Sequence, residues 1–65
     1  MELPMVTVTG FEGGWIYLKI TADTQEQVDK ARDEYLEQYP PFPYETRVIL
    51  EGHKFCEIKR WHTAD

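Results

Sequence analysis

The chain has 65 residues, a formal net charge of −5 at pH 7 and one cysteine, Cys56. This length gives room for one domain, residues 1–65, whose small core buries only about 60% of the unfolded chain's surface. The single cysteine excludes an internal disulfide, the acidic charge disfavours unspecific binding to DNA or anionic membranes, and no apolar run approaches the ~20 residues of a membrane-spanning helix. We expect a cytoplasmic protein, since a lone thiol suits a reducing compartment and the N-terminus lacks a signal-peptide pattern.

The first third of the chain predicts a β-hairpin. Valine and threonine alternate over Met5–Thr9, which favours a strand, and a second strand is predicted over Trp15–Thr21. The glycine-rich segment 10–14 between them is a connection of hairpin length, and the strand that follows it argues against a phosphate-binding loop, which requires a helix there. Burying the unpaired ammonium of Lys19 would cost several kcal/mol, so the isoleucine and leucine face of the second strand points inward.

Residues 23–39 predict one amphipathic helix, because apolar side chains recur there at helical spacing. The two prolines that follow, Pro40 and Pro41, end it because they cannot donate backbone hydrogen bonds. Two overlapping capping pairs are available to begin it: Asp23 with Glu26, and Thr24 with Gln27.

The rest of the chain predicts a connector and a second hairpin. Residues 40–43 predict a stiff, extended segment in which Phe42 fills the end of the core. Further strands are predicted over Glu45–Glu51 and Lys54–His62. Burying the charged residues of these strands costs more than exposing aromatic ones, so their charged faces point outward and Ile49 stays outside with them.

The element order ββαββ predicts an α+β fold of two layers, with one mostly antiparallel four-stranded sheet and a single helix on one face. The sequence leaves the order of the strands open. The predicted core comprises Val6, Val8, Ile16, Leu18, Ile20, Val28, Ala31, Tyr35, Leu36, Val48, Leu50, Cys56 and Ile58.

One helix covers one face of a sheet, and strict alternation places both tryptophans on the other face. Antiparallel sheets ordinarily turn polar side chains to water there. Half of the area of four such aromatic side chains already approaches or exceeds the few hundred Å² of apolar surface that a monomer usually exposes as one patch. Aromatic side chains around an arginine are typical of protein–protein hot spots. A bulge near the chain's end would redirect Trp61. The predicted interaction surface comprises Trp15, Tyr17, Arg47, Ile49, Phe55 and Trp61.

Several functions remain open for these surfaces. The first is binding of a protein partner, or self-association as a homodimer, through the aromatic sheet face; self-association would also stabilise so short a chain. The second is stacking of single-stranded nucleic acid on the same aromatics, which the net charge disfavours. Alternatively, the aromatics cover one another across strands and bind nothing. A further alternative is mimicry of nucleic acid by the acidic helix face, although such a face is more often simply solvated. It comprises Glu26, Asp29, Asp33 and Glu37.

Catalytic and metal-binding signatures are weak. His53, Cys56 and His62 are the only soft ligands, whereas a structural zinc site takes four donors. A thiol that points into the core, as Cys56 is predicted to do, is not an exposed thiolate nucleophile. We therefore expect a non-enzyme without metal or cofactor.

The second half of the chain follows a recognisable pattern: a helix that ends in tyrosine-proline, a tyrosine and a threonine before a strand, a glycine turn, and a last strand rich in basic residues. The residues that form it are Tyr39-Pro40, Tyr44, Thr46, Gly52 and Arg60. In this pattern the chain from Tyr35 onward resembles a group of short phage and prophage proteins of unassigned activity. The usual glycine before the third strand is absent, and of the terminal serine-cysteine-aspartate only Asp65 is present. The resemblance implies a phage-type accessory protein, including an inhibitor of a host enzyme.

Overall fold

The computed structural model describes residues 4–62, so Asp65 lies outside the described residues. The predicted element order is confirmed, with one added short turn, labelled α2, in the proline-rich segment. The elements are β1 (Met5–Glu12), β2 (Trp15–Thr21), α1 (Gln25–Gln38), α2 (Pro41–Tyr44), β3 (Arg47–Gly52) and β4 (Phe55–Trp61).

The four strands form one sheet in the order β1-β2-β4-β3, with every neighbouring pair antiparallel. The two hairpins therefore meet through their inner strands, β2 and β4, and leave β1 and β3 as the edges. The helix α1 packs across β2 and β4 on one face. This is the predicted two-layer α+β fold. We call the side that faces α1 the inner face and the opposite side the outer face.

The core lies between α1 and the two central strands. Val28 of α1 is buried against side chains that lie opposite each other in register, Leu18 with Ile58 and Ile20 with Cys56. The prediction that these side chains of the central strands point to the helix is therefore confirmed. Partly buried side chains that pack around this core are Ile16, Ala22, Ala31 and Tyr35.

The helix begins with the second of the two predicted capping pairs. The Thr24 hydroxyl accepts a hydrogen bond from the Gln27 backbone N–H, and the Thr24 N–H donates to the Gln27 side chain. The helix ends where the prolines require it, with the Tyr39 N–H donating to the Tyr35 carbonyl at 2.8 Å. In the described chain, residues 4–62, no helix has the length and apolar character needed to cross a membrane.

The edge strands contribute less to the core than predicted. Val6 and Val8 point to the inner face but are 50% and 64% exposed, and Val48 on the other edge is also exposed. The prediction that these three valines are core residues is wrong. The physical reason is coverage: α1 lies over the central strands and leaves the edges of the inner face open.

A bulge in β3 overturns a further core assignment. The register passes from Val48 opposite Ile58 to Leu50 opposite Glu57, so Leu50 lies on the outer face and is half exposed. The prediction that Leu50 is buried is wrong, because one extra residue in the strand reverses the alternation that follows it. The same bulge turns Glu51 inward.

The hairpin turns and the connector also differ from the sequence-based expectation. A register shift after Val8 lets β1 continue to Glu12, so the predicted loop 10–14 shrinks to Gly13 and Gly14, both at positive φ. The connector is not straight, because the Glu45 N–H donates to the Pro41 carbonyl at 2.8 Å and closes a turn. Phe42 within it keeps an extended backbone, with φ −128° and ψ 126°, and is 87% exposed. The prediction that Phe42 fills the end of the core is wrong. Tyrosines of α1 and the connector occupy that position instead.

Candidate interaction surface

The outer face is organised around a pair of tryptophans on the central strands. Trp15 of β2 lies directly opposite Trp61 of β4, with ring centroids 5.0 Å apart in an edge-to-face arrangement. Gly14, at φ +87°, brings the turn so close to the Trp61 ring that a Cβ there would lie 3.0 Å from it. The bulge considered for the end of β4 is absent from its described residues, and Trp61 stays on the outer face.

Two lysines lie over the aromatic rings of this face. The Lys59 ammonium is 4.7 Å from the centre of a Trp15 ring, and the Lys19 ammonium is 4.8 Å from the centre of the Phe55 ring. Both rings are half-buried, although no helix or strand in residues 4–62 packs on the outer face. The neighbours along and across the strands provide this partial burial.

The remaining predicted surface residues are brought to the same face or its margin. Tyr17 lies opposite Lys59 in the register, and Arg47 lies opposite Lys59 from the other side. Ile49 sits in the β3 bulge, at the edge of the sheet, and is 46% exposed. Of the six predicted residues, five therefore share the outer face and Ile49 lies beside it.

Sequence reasoning missed two apolar contributors to the outer face. Leu50 arrives there through the β3 bulge, and Met5 lies opposite Thr21 at the margin of the sheet. Simple alternation in β1 places Met5 on the outer face, so the sequence does contain a signal for this residue. A bulge leaves no comparable mark in the sequence of β3, so Leu50 has no such signal.

The charge of the outer face differs from that of the molecule. Three cations lie among the aromatics and are balanced by only two carboxylates, whereas the whole chain carries −5. This face is therefore slightly positive within an acidic protein. The charged residues are Lys19, Arg47 and Lys59, with Glu12 and Glu57.

The acidic helix face is partly neutralised by Arg32. Its guanidinium lies 3.1 Å from Asp33, 3.5 Å from Asp29 and 2.7 Å from Glu51, the residue that the β3 bulge turns inward. The hydrogen bond to Glu51 is the main reason that the pKa of Arg32 is raised. Two of the four predicted acidic residues, Asp29 and Asp33, thus belong to an ion-pair network. The other two, Glu26 and Glu37, are exposed on the same helix.

A second cation lies in a cluster of tyrosines on the inner face. The Arg60 Nε donates to the Tyr35 hydroxyl at 2.6 Å, its Cζ lies 4.0 Å from the centre of the Tyr39 ring, and Tyr44 closes the cluster at 5.9 Å. Burial is the main cause of the raised pKa of Tyr35, and Arg60 opposes it. We call these four residues the Arg60 cluster. It joins α1, the connector and β4, and it takes the place predicted for Phe42.

The soft ligands do not converge. Cys56 is fully buried, and burial raises the pKa of its thiol. His53 is exposed in the β3–β4 turn, whereas the His62 ring packs edge-on against Phe11 at 5.2 Å. Within residues 4–62, no three histidine, cysteine, aspartate or glutamate side chains are placed to hold a metal ion.

Comparisons with known proteins add no relative. No protein-family model, no curated protein and no solved structure matches the chain. The resemblance to phage proteins therefore stays a prediction, and a function has to be inferred from the outer face.

Proposed function

We propose that this protein is a small, non-enzymatic interaction module that binds an acidic protein partner through the outer face of its sheet. The observation that supports this most strongly is the Trp15–Trp61 pair, which is half-buried at one end of the two central strands, on a face that carries three cations. Tryptophan, tyrosine and arginine are the residues most enriched among interface hot spots.

The tryptophans are well prepared for binding. They stand on the two central strands, which are hydrogen-bonded on both sides. The two rings contact each other, Lys59 lies over Trp15, and the turn at Gly14 approaches Trp61 closely. Side chains already ordered in the free protein lose little conformational entropy on association. A partner that covers the exposed parts of these rings therefore gains the hydrophobic contribution at low cost.

The charge of the outer face favours a foreign partner over a second copy stacked on the same face. In a two-fold stack, the lysines and Arg47 of one copy would approach those of the other, and like charges in an interface are unfavourable. An acidic surface is complementary to them. The phage resemblance of the second half of the chain fits an accessory or inhibitory protein bound to a host enzyme. We place its action in the cytoplasm, where the thiol of Cys56 would remain reduced.

Single-stranded nucleic acid is the second candidate, because aromatics and cations share the outer face. Bases would stack on the rings while lysines and Arg47 contact phosphates. The arrangement of Lys59 over Trp15 and Lys19 over Phe55 disfavours it, because these ammonium groups occupy the ring faces on which bases stack. We therefore rank an acidic protein first.

Cross-linking in cells locates the bound surface and captures the partner in one experiment. An amine-reactive reagent should join the partner to Lys19 and Lys59 on the outer face, and much less to Lys30 on α1 or Lys54 in the β3–β4 turn. Mass spectrometry of the cross-linked peptides distinguishes these sites and identifies the partner. Cross-links concentrated on Lys30 and Lys54 would contradict the proposal.

Purified partner then allows a matched charge test. Arg47→Glu and Lys30→Glu both change an exposed cation to an anion, the first on the outer face and the second on α1. We expect Arg47→Glu to weaken binding at least about tenfold in titration calorimetry and Lys30→Glu less than about twofold. Equal effects would refute the assignment. Tight, salt-sensitive binding of a fluorescent oligothymidine or oligouridine, lost in Trp61→Ala, would favour the second candidate.

A further inference from the structure

The β1 edge of the sheet is uncharged over its first five residues and lacks the usual protection against pairing there. Its residues Met5–Thr9 include no charge, and Met5, Val6 and Val8 are each at least half exposed. Edge strands of monomeric proteins are normally protected by charged side chains, prolines or bulges within the exposed stretch. In β1 the register shift comes only after Val8.

The other edge of the sheet is protected, which makes the contrast informative. β3 begins with Arg47, carries Glu51 near its end, and is bulged in between at Ile49. Its backbone therefore offers no straight, uncharged segment to a second strand. The two edges differ in the features that decide whether a strand can be added.

The inner side of β1 borders a groove of mixed character, because α1 lies over the central strands. Val6, Pro4 and Ala31 supply its apolar part, and Tyr35, Glu34 and Gln38 of α1 complete the lining. Any strand that pairs with β1 extends the sheet beneath this groove. Its inward side chains would then lie beside Val6 and Val8.

We propose that β1 pairs antiparallel with β1 of a second copy of this chain, around a two-fold axis at Thr7. The two valines of this segment, Val6 and Val8, lie symmetrically about this residue. The axis places Val6 of each copy opposite Val8 of the other on the inner face, and Thr7 opposite Thr7 on the outer face. Valine and threonine pairs of this kind stabilise antiparallel strands, and the paired segment brings no like charges together. The bulge that follows Val8 ends the pairing.

The two helices leave room for this arrangement. Each α1 lies over β2 and β4, so strand spacings of about 4.8 Å separate the two helix axes by roughly 19 Å across the seam. A helix with its side chains is about 10–12 Å wide, which leaves a gap of several Å for the four valines. The result is a continuous eight-stranded sheet with both helices on one side.

This inference does not depend on the proposed function. The paired strands leave both outer faces open and side by side, so a dimer would present the tryptophan pairs twice to a partner. The interface uses one short strand from each copy and falls at or below the lower end of specific interfaces in area. We therefore expect dissociation in the micromolar to submillimolar range.

Analytical ultracentrifugation of the full chain tests the inference. We expect a monomer at about 5 µM and mostly dimer at about 500 µM. Val8→Lys, an exposed position, should keep the native circular dichroism spectrum and weaken dimerisation at least about tenfold, because it places a charge at the seam. Ile49→Lys is the matched control on the opposite edge and should dimerise as the wild type does. A monomer at all concentrations, or a dimer insensitive to Val8→Lys, would overturn the proposal.

Cross-linking at the symmetry axis gives an independent measurement of the register. In Thr7→Cys, the two introduced thiols face each other directly, so mild oxidation should yield a covalent dimer on a non-reducing gel. Glu12→Cys lies far from the axis and should yield little, and the native Cys56 is buried. Equal cross-linking of the two variants, or loss of the dimer in Trp61→Ala with retention in Val8→Lys, would show that another surface associates.

Discussion

Replacing Arg60 by methionine tests how much the Arg60 cluster stabilises the packing of α1 on β4. The change keeps most of the aliphatic stem and removes the guanidinium. The lost contacts are the 2.6 Å hydrogen bond to the Tyr35 hydroxyl, a 3.0 Å hydrogen bond to the Trp61 carbonyl, and the cation–π contact with Tyr39 at 4.0 Å.

The magnitude follows from these contacts. A hydrogen bond from a charged donor contributes about 1.5–3 kcal/mol, and a cation–π contact at a partly exposed site about 0.5–1 kcal/mol. The Tyr35 hydroxyl can turn to water once Arg60 is gone, and methionine restores part of the packing. We therefore expect Arg60→Met to lower the free energy of unfolding by about 2–3 kcal/mol, out of roughly 3–10 kcal/mol for a domain of this size. The melting temperature should fall by about 10–20 °C.

Urea unfolding followed by circular dichroism measures this difference directly, provided that the dependence on urea stays constant between variants. Lys59→Met is the matched control, because Lys59 is the neighbouring residue on the opposite face and its ammonium lies over the partly exposed Trp15 ring, 4.7 Å from a ring centre. Its loss should cost less than about 1 kcal/mol. Equal losses for Arg60→Met and Lys59→Met would refute the reasoning.

Three further predictions concern single buried or turn positions. Burial raises the pKa of the Cys56 thiol and shields it from reagents. Ellman's reagent should therefore label the native chain at pH 8 at least about 100-fold more slowly than the chain in urea. Equal labelling rates would mean that the thiol is accessible. The Thr46 hydroxyl is buried and has no hydrogen-bond partner within residues 4–62. Thr46→Val should therefore leave the free energy of unfolding unchanged or raise it by up to about 1 kcal/mol. A clearly lower free energy of unfolding in urea would reveal a partner. A Cβ at Gly52 would overlap the Phe55 ring, so Gly52→Ala should destabilise the protein by about 1–3 kcal/mol. Gly13 has a positive φ and lies in open space, so Gly13→Asn should be tolerated. A melting temperature of Gly13→Asn at or below that of Gly52→Ala would contradict this contact.

The central part of the fold could be predicted from the sequence because several local signals agree there. The helix has a capping box at Thr24 and a proline stop after Tyr39, and both are observed. In β2 and β4, lysine and glutamate on one face and aliphatic residues on the other decide which face is buried. These signals depend only on spacing and on the cost of burying charge, which a sequence displays directly.

The Arg60 cluster could have been found by following the alternation one residue further. Cys56 and Ile58 point to the helix, so Arg60 must also lie on the inner face, where burial of a charge requires partners. Tyr35 and Tyr39 are one helical turn apart at the end of α1, the end that attracts a cation. The proline-rich connector instead favours Phe42 for the end of the core. The charge of Arg60 on the mostly apolar inner face, which requires partners, is the stronger signal.

The bulges could not be predicted, because one extra residue in a strand changes the register without a distinctive composition. In β3 this extra residue moves Leu50 to the outer face and turns Glu51 toward Arg32, where the carboxylate joins an ion pair. The ion pair and the bulge are coupled: strict alternation would have placed Leu50 inside and Glu51 in water. A sequence shows each residue's preference but not which of two registers the whole hairpin adopts.

β1 is exposed because the sheet is wider than the helix that covers it. The alternation of apolar and polar residues does not show this difference in width. Four strands at about 4.8 Å spacing place the two edge strands about 14 Å apart, whereas one helix is only about 10–12 Å wide and sits over the middle pair. A valine on an edge strand can therefore point to the helix side and still remain in water, as Val6 and Val8 do. The pattern predicts the direction of a side chain, and the number of covering elements decides whether it is buried. For β1 the missing cover has to come from outside the chain, and a second β1 supplies the matching strand.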